Sequence, residues 1–153
     1  MNIYEYQRPL GKIDDIPELR SLFIAVYDAK SHKDAARFCL LYGGRLLALT
    51  GFEPCQEIIR AFAAIEEWLD GKANYQKARS IGGELYDLAR NEKDGVRARF
   101  YRTTAQIACV PHVKYHALWA ADFAVTLINR IYPGNMEAVR EERQGQIELI
   151  KNI

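Results

Sequence analysis

Apolar residues return at intervals of three and four along most of the chain, and strict alternation bounded by turn residues is rare. That is the period of helices rather than strands. Segment 14–30, DDIPELRSLFIAVYDAK, offers Asp14 or Asp15 as N-cap, Pro17 in the first turn and a Leu19, Leu22, Phe23, Val26 stripe, and so predicts a first amphipathic helix. The second, SHKDAARFCLLYGGRLLALTG, starts with Ser31 and Asp34 in capping-box spacing and stops at Gly51, a natural left-handed C-terminal residue. The third, FEPCQEIIRAFAAIEEWLDG, has Pro54 in its first turn, an Ile58, Phe62, Ile65, Leu69 stripe and Gly71 as its stop. So short a connection between the second and third predicts an antiparallel hairpin.

NYQKARSIGGELYDLARNEKDG reads as a fourth helix, capped by Asn74 and closed near Gly95, and VRARFYRTTAQIAC as a fifth reaching Cys109. Pro111 then restarts the chain into the most apolar helix, running to Tyr132. Only Asp122, Thr126, Asn129 and Arg130 give it a polar side. A helix apolar around most of its circumference belongs at the centre of a bundle. Segment 135–153 is polar, with Met136, Val139, Ile147 and Ile150 spaced sparsely, and predicts a C-terminal helix lying across the others. Two double glycines, Gly43-Gly44 and Gly82-Gly83, fall in mid-helix, where each glycine costs about 1 kcal/mol relative to alanine. Close helix crossings would compensate for that cost.

The expected architecture is all-α: one domain over residues 1–153, a bundle of six or seven helices built from antiparallel helical hairpins. Residues 1–12 form an N-terminal extension. A chain of 153 residues is long enough to bury one core unaided. With 49% hydrophobic and 27% charged residues it has the balance of a folded globular protein, which excludes disorder and a fibrous repeat. A net charge of +1 gives no global reason to expect nucleic acid or an anionic membrane as partner. Cys39, Cys55 and Cys109 stand apart among apolar neighbours, as core thiols do in a reducing compartment. No basic-then-apolar leader opens the chain and no run of about 18 uncharged apolar residues follows, so a cytoplasmic location is expected.

The candidate chemistry begins with His112 and His116, four residues apart and therefore roughly 40° apart on a helix face that Trp119 and Phe123 continue. A metal site would need a third and fourth ligand, which a bundle commonly supplies as Glu-x-x-His; no such pattern occurs, and the remaining histidine, His32, lies at the start of a different helix. His112, His116, Trp119 and Phe123 therefore read as a helix-packing motif, with a metal or small-ligand site on His112 and His116 as the alternative. Cys109 stands near His112, but its apolar surroundings would raise the thiol pKa. The carboxylate pairs Asp14-Asp15, Glu66-Glu67 and Glu141-Glu142 read as caps or solvated faces.

Charge is unevenly spread. The third helix is acidic, with Glu53, Glu57, Glu66, Glu67 and Asp70 against Arg60, and suits a basic protein partner. Arg97, Arg99, Tyr101 and Arg102 form a basic stretch with aromatics between, a pattern also used to bind RNA. One short patch without a second argues against nucleic acid. Protein interfaces rest on a few aromatic and arginine anchors, and the candidates here are Trp68 and Tyr75 beside Glu66 and Glu67, and Arg99 with Tyr101.

The segments ARFCLLYGG, IRAFAAIEEWLDGKANYQKAR, HVKYHALWAADFA and EERQGQIELI carry a resemblance from about Asp34 to the C-terminus. There the chain resembles the small all-helical bacterial proteins called putative immunity proteins of polymorphic toxin systems. The shared features are His112, Val113, His116, Ala117, Ala120, Ala121 and Phe123, with Trp68, Gly71 and Lys72 upstream. It departs from them in having Trp119 where small residues are usual and Pro111 where many have alanine. The resemblance implies a cytoplasmic protein that binds and neutralises a cognate protein toxin, with no catalytic residues and no cofactor.

Overall fold

A computed structural model describes residues 2–153. It contains seven α-helices: α1 (Pro17–Asp28), α2 (His32–Thr50), α3 (Gln56–Leu69), α4 (Gln76–Asn91), α5 (Gly95–Ala108), α6 (His116–Ile131) and α7 (Met136–Lys151). A 3-10 turn at Arg8–Leu10 precedes them, and the described residues contain no strand. The all-helical bundle read from the sequence is the fold observed.

Local chemistry explains most of the boundaries. The Ser31 side chain accepts the Asp34 amide at 3.0 Å and opens α2, while Gly51 closes it at φ +69°, a conformation costly for any side chain with a Cβ. Asp94 accepts the amides of Val96 and Arg97 at the start of α5, and Asn135 accepts that of Ala138 at the start of α7. Asn74 accepts the Gln76 amide at 2.9 Å, with Tyr75 as the boundary residue of α4.

Four expectations need correction. Neither Asp14 nor Asp15 caps α1: Ile16 is its N-cap, and Asp15 turns inward to an arginine of α7. The buried face of α1 is Arg20, Phe23 and Tyr27, which leaves Leu22 outside at 55% exposure. Gly95 begins α5 instead of closing α4, because Asp94 supplies the cap. Finally, α5 and α6 are separated by turns from Cys109 to Tyr115, so His112 lies outside any helix. Pro111 has no amide to donate and restrains Val110, which ends the helical register there.

α5 and α6 form the centre. Every residue from Ala117 to Ile128 is buried, as is the second half of α5 from Thr103. α4 packs on α5, α5 on α6, α3 on α4, and α7 lies across α1 and α6. Consecutive helices that pack on each other through short connections, such as α4 and α5, run antiparallel. The first glycine of each pair marks a close crossing. A Cβ on Gly43 would stand 2.5 Å from Cζ of Phe62 in α3, and one on Gly82 would stand 2.5 Å from Sγ of Cys109. Gly44 and Gly83 face open space.

The N-terminal extension runs along α6 as a strap. Trp119 donates its indole N–H to the Ile3 carbonyl at 3.2 Å, Leu10 is buried at 1% exposure, and Asn129 pairs with Asp14 in both directions, accepting its amide at 2.9 Å and donating to its carbonyl at 3.0 Å. Arg99 of α5 donates to the carbonyls of Pro9 and Leu10. The strap covers α6 from Trp119 to Asn129. No helix among the described residues is long and apolar enough to cross a membrane.

Candidate partner-binding site

All three histidines of the chain gather at one end of the bundle. His32, at the start of α2, donates Nε2–H to the Val110 carbonyl at 2.6 Å and lies 4.8 Å from the ring of Trp68, centroid to centroid. His112 lies 4.7 Å from Tyr75 and 6.3 Å from His116. The turn carrying Pro111, not a shared helical face, brings His112 to His116. His116 shares a hydrogen bond with Oε1 of Gln106 at 2.7 Å, which places the proton on Nδ1, and Gln106 in turn donates to the Tyr86 hydroxyl. Trp119 meets the His116 ring edge-on at 5.4 Å. Burial, with the neighbouring His112 and Arg79, pushes the His116 pKa down to about 4, so the imidazole is neutral at neutral pH. Phe123, further along α6, is wholly inside the core.

Nothing completes a coordination shell around this pair. Nδ1 of His116 is committed to Gln106, and no group of three His, Cys, Asp or Glu side chains among the described residues is placed to hold a metal ion. Beside His112 lies a cleft of about 390 Å³ lined by Tyr27, Asp28, His32, Lys114 and Tyr115. Lys114 covers the face of Tyr27 at 4.4 Å.

Of the anchors expected from sequence, Trp68 and Tyr75 are half-buried and join this cluster through His32 and His112. Glu66 is exposed, and Glu67 receives Lys77 at 3.2 Å. Arg99 and Tyr101 lie elsewhere. They are in the first half of α5, roughly 8–11 Å along the helix from Gln106, which joins the cluster through His116. Arg99 is engaged by the strap, and Arg97 covers the Phe52 ring at 4.3 Å, so much of the basic stretch is spent on internal contacts.

The sequence reading missed a buried ionic network. Arg143 of α7, with a fully buried side chain, donates to Asp15 at 2.6 Å and to Asp122 at 2.7 Å. Arg20 forks onto both oxygens of Asp122 at 3.0 and 2.9 Å and lies under the Tyr6 ring at 4.2 Å. Gln146 links Arg143 to Tyr42, which donates to Glu142. One member of two of the carboxylate pairs, Asp15 and Glu142, is therefore interior and not a solvated surface group. The available signal was Asp122 itself: a carboxylate between Ala121 and Phe123 in an otherwise apolar helix requires a buried cation.

A family model described as Imm-5 like putative immunity protein matches residues 25–153. The chain belongs to this family. No curated protein and no solved structure matches it. The family region contains α2 to α7 and holds Asp122 and Arg143, while Tyr6, Asp15 and Arg20 reach the same network from outside it.

Another open feature lies in the family region, between α2 and α3. It is a groove of about 560 Å³ with Leu40, Leu41, Gly44 and Phe62 along its floor and Arg37 and Glu66 at its rim. Leu41 is 55% exposed, and Ile59, one turn before Phe62 on α3, is 47% exposed.

Proposed function

We propose that the protein binds a cognate bacterial toxin in the cytoplasm, neutralises it by occlusion, and catalyses no reaction of its own. Membership of an immunity-protein family across residues 25–153 carries this reading. The side chains that could act as nucleophile or base are poorly placed for chemistry. Burial raises the Cys109 thiol to about 11, with Arg79 offsetting part of the shift, and holds the Cys39 thiol far above its ordinary value. His116 is too weak a base, and Asp15 and Asp122 are locked onto Arg143. Trp68 and Tyr75, half-buried and packed at a tilt against histidine rings, have the character of interface anchors.

The test is co-expression with the effector domain encoded in the neighbouring reading frame. Rescue of growth and stoichiometric co-purification are expected. A folded chain that neither relieves toxicity nor binds the effector overturns the reading.

A further inference from the structure

We infer that the toxin is held in the groove between α2 and α3, and that the part it inserts is a basic amphipathic segment, with an apolar stripe flanked by lysine or arginine. This rests on the immunity reading above and adds the surface and the chemistry of its occupant. On α3, Ile59, Phe62, Ala63, Glu66 and Asp70 fall within roughly 100° of one another at 100° per residue. On α2, Arg37, Leu41, Gly44 and Ala48 share an arc of roughly 60°, and Arg37, Leu41 and Gly44 from it line the same groove as Phe62 and Glu66 of α3. Two large aliphatic side chains, Leu41 and Ile59, are thus left near half exposed on adjoining helices, with exposed alanines around them. Apolar surface grouped in this way marks an interaction site more often than scattered exposure does.

Charge decides what fits. Arg37 is closed onto Asp34 at 2.7 Å, so that pair contributes no net charge. Glu66 and Asp70 are exposed and form no ion pair among the described residues, in contrast to Glu67 with Lys77 and Arg60 with Glu84 on the flanks of α3. The groove therefore presents an apolar floor beside the unpaired carboxylate of Glu66, with Asp70 one turn further along the same face of α3, the complement of a helix whose apolar stripe is edged by cations. Gly44 fits this arrangement. A Cβ there would meet nothing within 4 Å, so nothing in this chain demands a glycine; its absent side chain leaves the groove open for a partner to approach.

The same glycine supplies the test. Gly44→Arg brings bulk and positive charge to the groove from a position where a Cβ meets nothing within 4 Å, and Gly83→Arg, at the other open helical glycine, carries the same change to a different face. The probe is the catalytically inactivated effector domain from the neighbouring frame, titrated against the full chain. Gly44→Arg should weaken binding by tenfold or more and abolish growth rescue, and Glu66→Lys should weaken it in a manner that higher salt diminishes. Gly83→Arg should bind as wild type. If wild type binds and Gly44→Arg binds equally well, the groove assignment is overturned while the immunity reading stands. If wild type is a dimer that Gly44→Arg converts to monomer, the groove holds a second copy of the chain and the inference is likewise overturned. If wild type does not bind the effector at all, both fail together.

Discussion

Arg143 and Asp122 form a buried ion pair across the α6–α7 interface, with Nη2 of the arginine 2.7 Å from the carboxylate and neither side chain reaching solvent. The pair is the hub of a network that reaches α1 through Arg20, the segment before α1 through Asp15, and α2 through Gln146 and Tyr42. A buried charge is tolerated only while its partners remain. Asp122→Ala leaves two arginines facing the gap and should destabilise the fold by about 3–5 kcal/mol in chemical denaturation. Asp15→Ala leaves Arg143 its bond to Asp122 and should cost less, about 1–3 kcal/mol. Equal losses for the two would mean that Asp122 is not the hub.

His116 should give stability a distinct pH dependence. Burial together with His112 and Arg79 lowers its pKa to about 4 from an ordinary 6.5, so between those values the unfolded chain holds a proton that the folded chain does not. Stability should therefore fall as pH drops through that window, by at most about 3 kcal/mol, with the loss complete below its lower edge. Asp15 acts in a lower range. Burial alone would raise its carboxyl, but the Arg143 hydrogen bonds and charge outweigh this and hold it below the ordinary value of 3.8, so its contribution persists above that value and is lost only in stronger acid. His116→Asn keeps a donor to Gln106 and removes the titration; it should flatten the upper window in denaturation measured across pH and leave the acid limb in place.

The paired glycines should separate by which member faces a helix. Gly44→Ala and Gly83→Ala meet open space and should stabilise by about 0.5–1 kcal/mol through helix propensity and the unfolded chain. Gly82→Ala meets the Cys109 sulfur at 2.5 Å and the Ala105 carbonyl oxygen at 3.3 Å, and should cost about 1–3 kcal/mol. Gly43→Ala meets only the far end of the half-buried Phe62 ring, which can swing outward, and should fall between these. Thermal midpoints of the four variants would check the order.

These glycines show how far sequence reading reaches. Their position in mid-helix pointed to close crossings, but only the packed structure shows that the first of each pair is the one in contact. Helix ends were legible at Ser31, Asn74 and Gly51, where the capping bonds are local, but the equally local Asp94 cap was hidden by Gly95, which read as a stop. Periodicity reports polarity and not pairing, so Arg143 and Gln146 read as surface on a polar terminal helix although both are buried. The same blindness displaced the inner face of α1: Arg20 goes inside to reach Asp122, and Leu22 is turned out. The histidine spacing was visible, but its helical interpretation failed at Pro111, and the convergence of His32, Trp68 and Tyr75 on the same end depends on contacts between elements far apart in sequence.

The strap is the part of the chain most open to a direct test, because it lies outside the family region and yet covers its central helix. Removing residues 2–12 deletes the Ile3 carbonyl that accepts from Trp119, the Pro9 and Leu10 carbonyls that accept from Arg99, and the buried Leu10 side chain. It leaves Asp15 and Arg20 in place, so the ionic network keeps its ion pairs while losing the Tyr6 hydroxyl that donates to Asp15 and the ring that covers Arg20. Loss of a buried leucine alone costs about 2–5 kcal/mol, and Leu10→Ala should show that cost without disturbing the Ile3 contact. Trp68→Phe leaves Trp119 as the sole tryptophan of the two in the chain. In that background the shortened chain should unfold earlier and emit at longer wavelength as water reaches the indole, whereas Leu10→Ala should unfold earlier with its emission unchanged. A shortened chain with the wild-type midpoint and emission would show that the strap is not needed to seal α6.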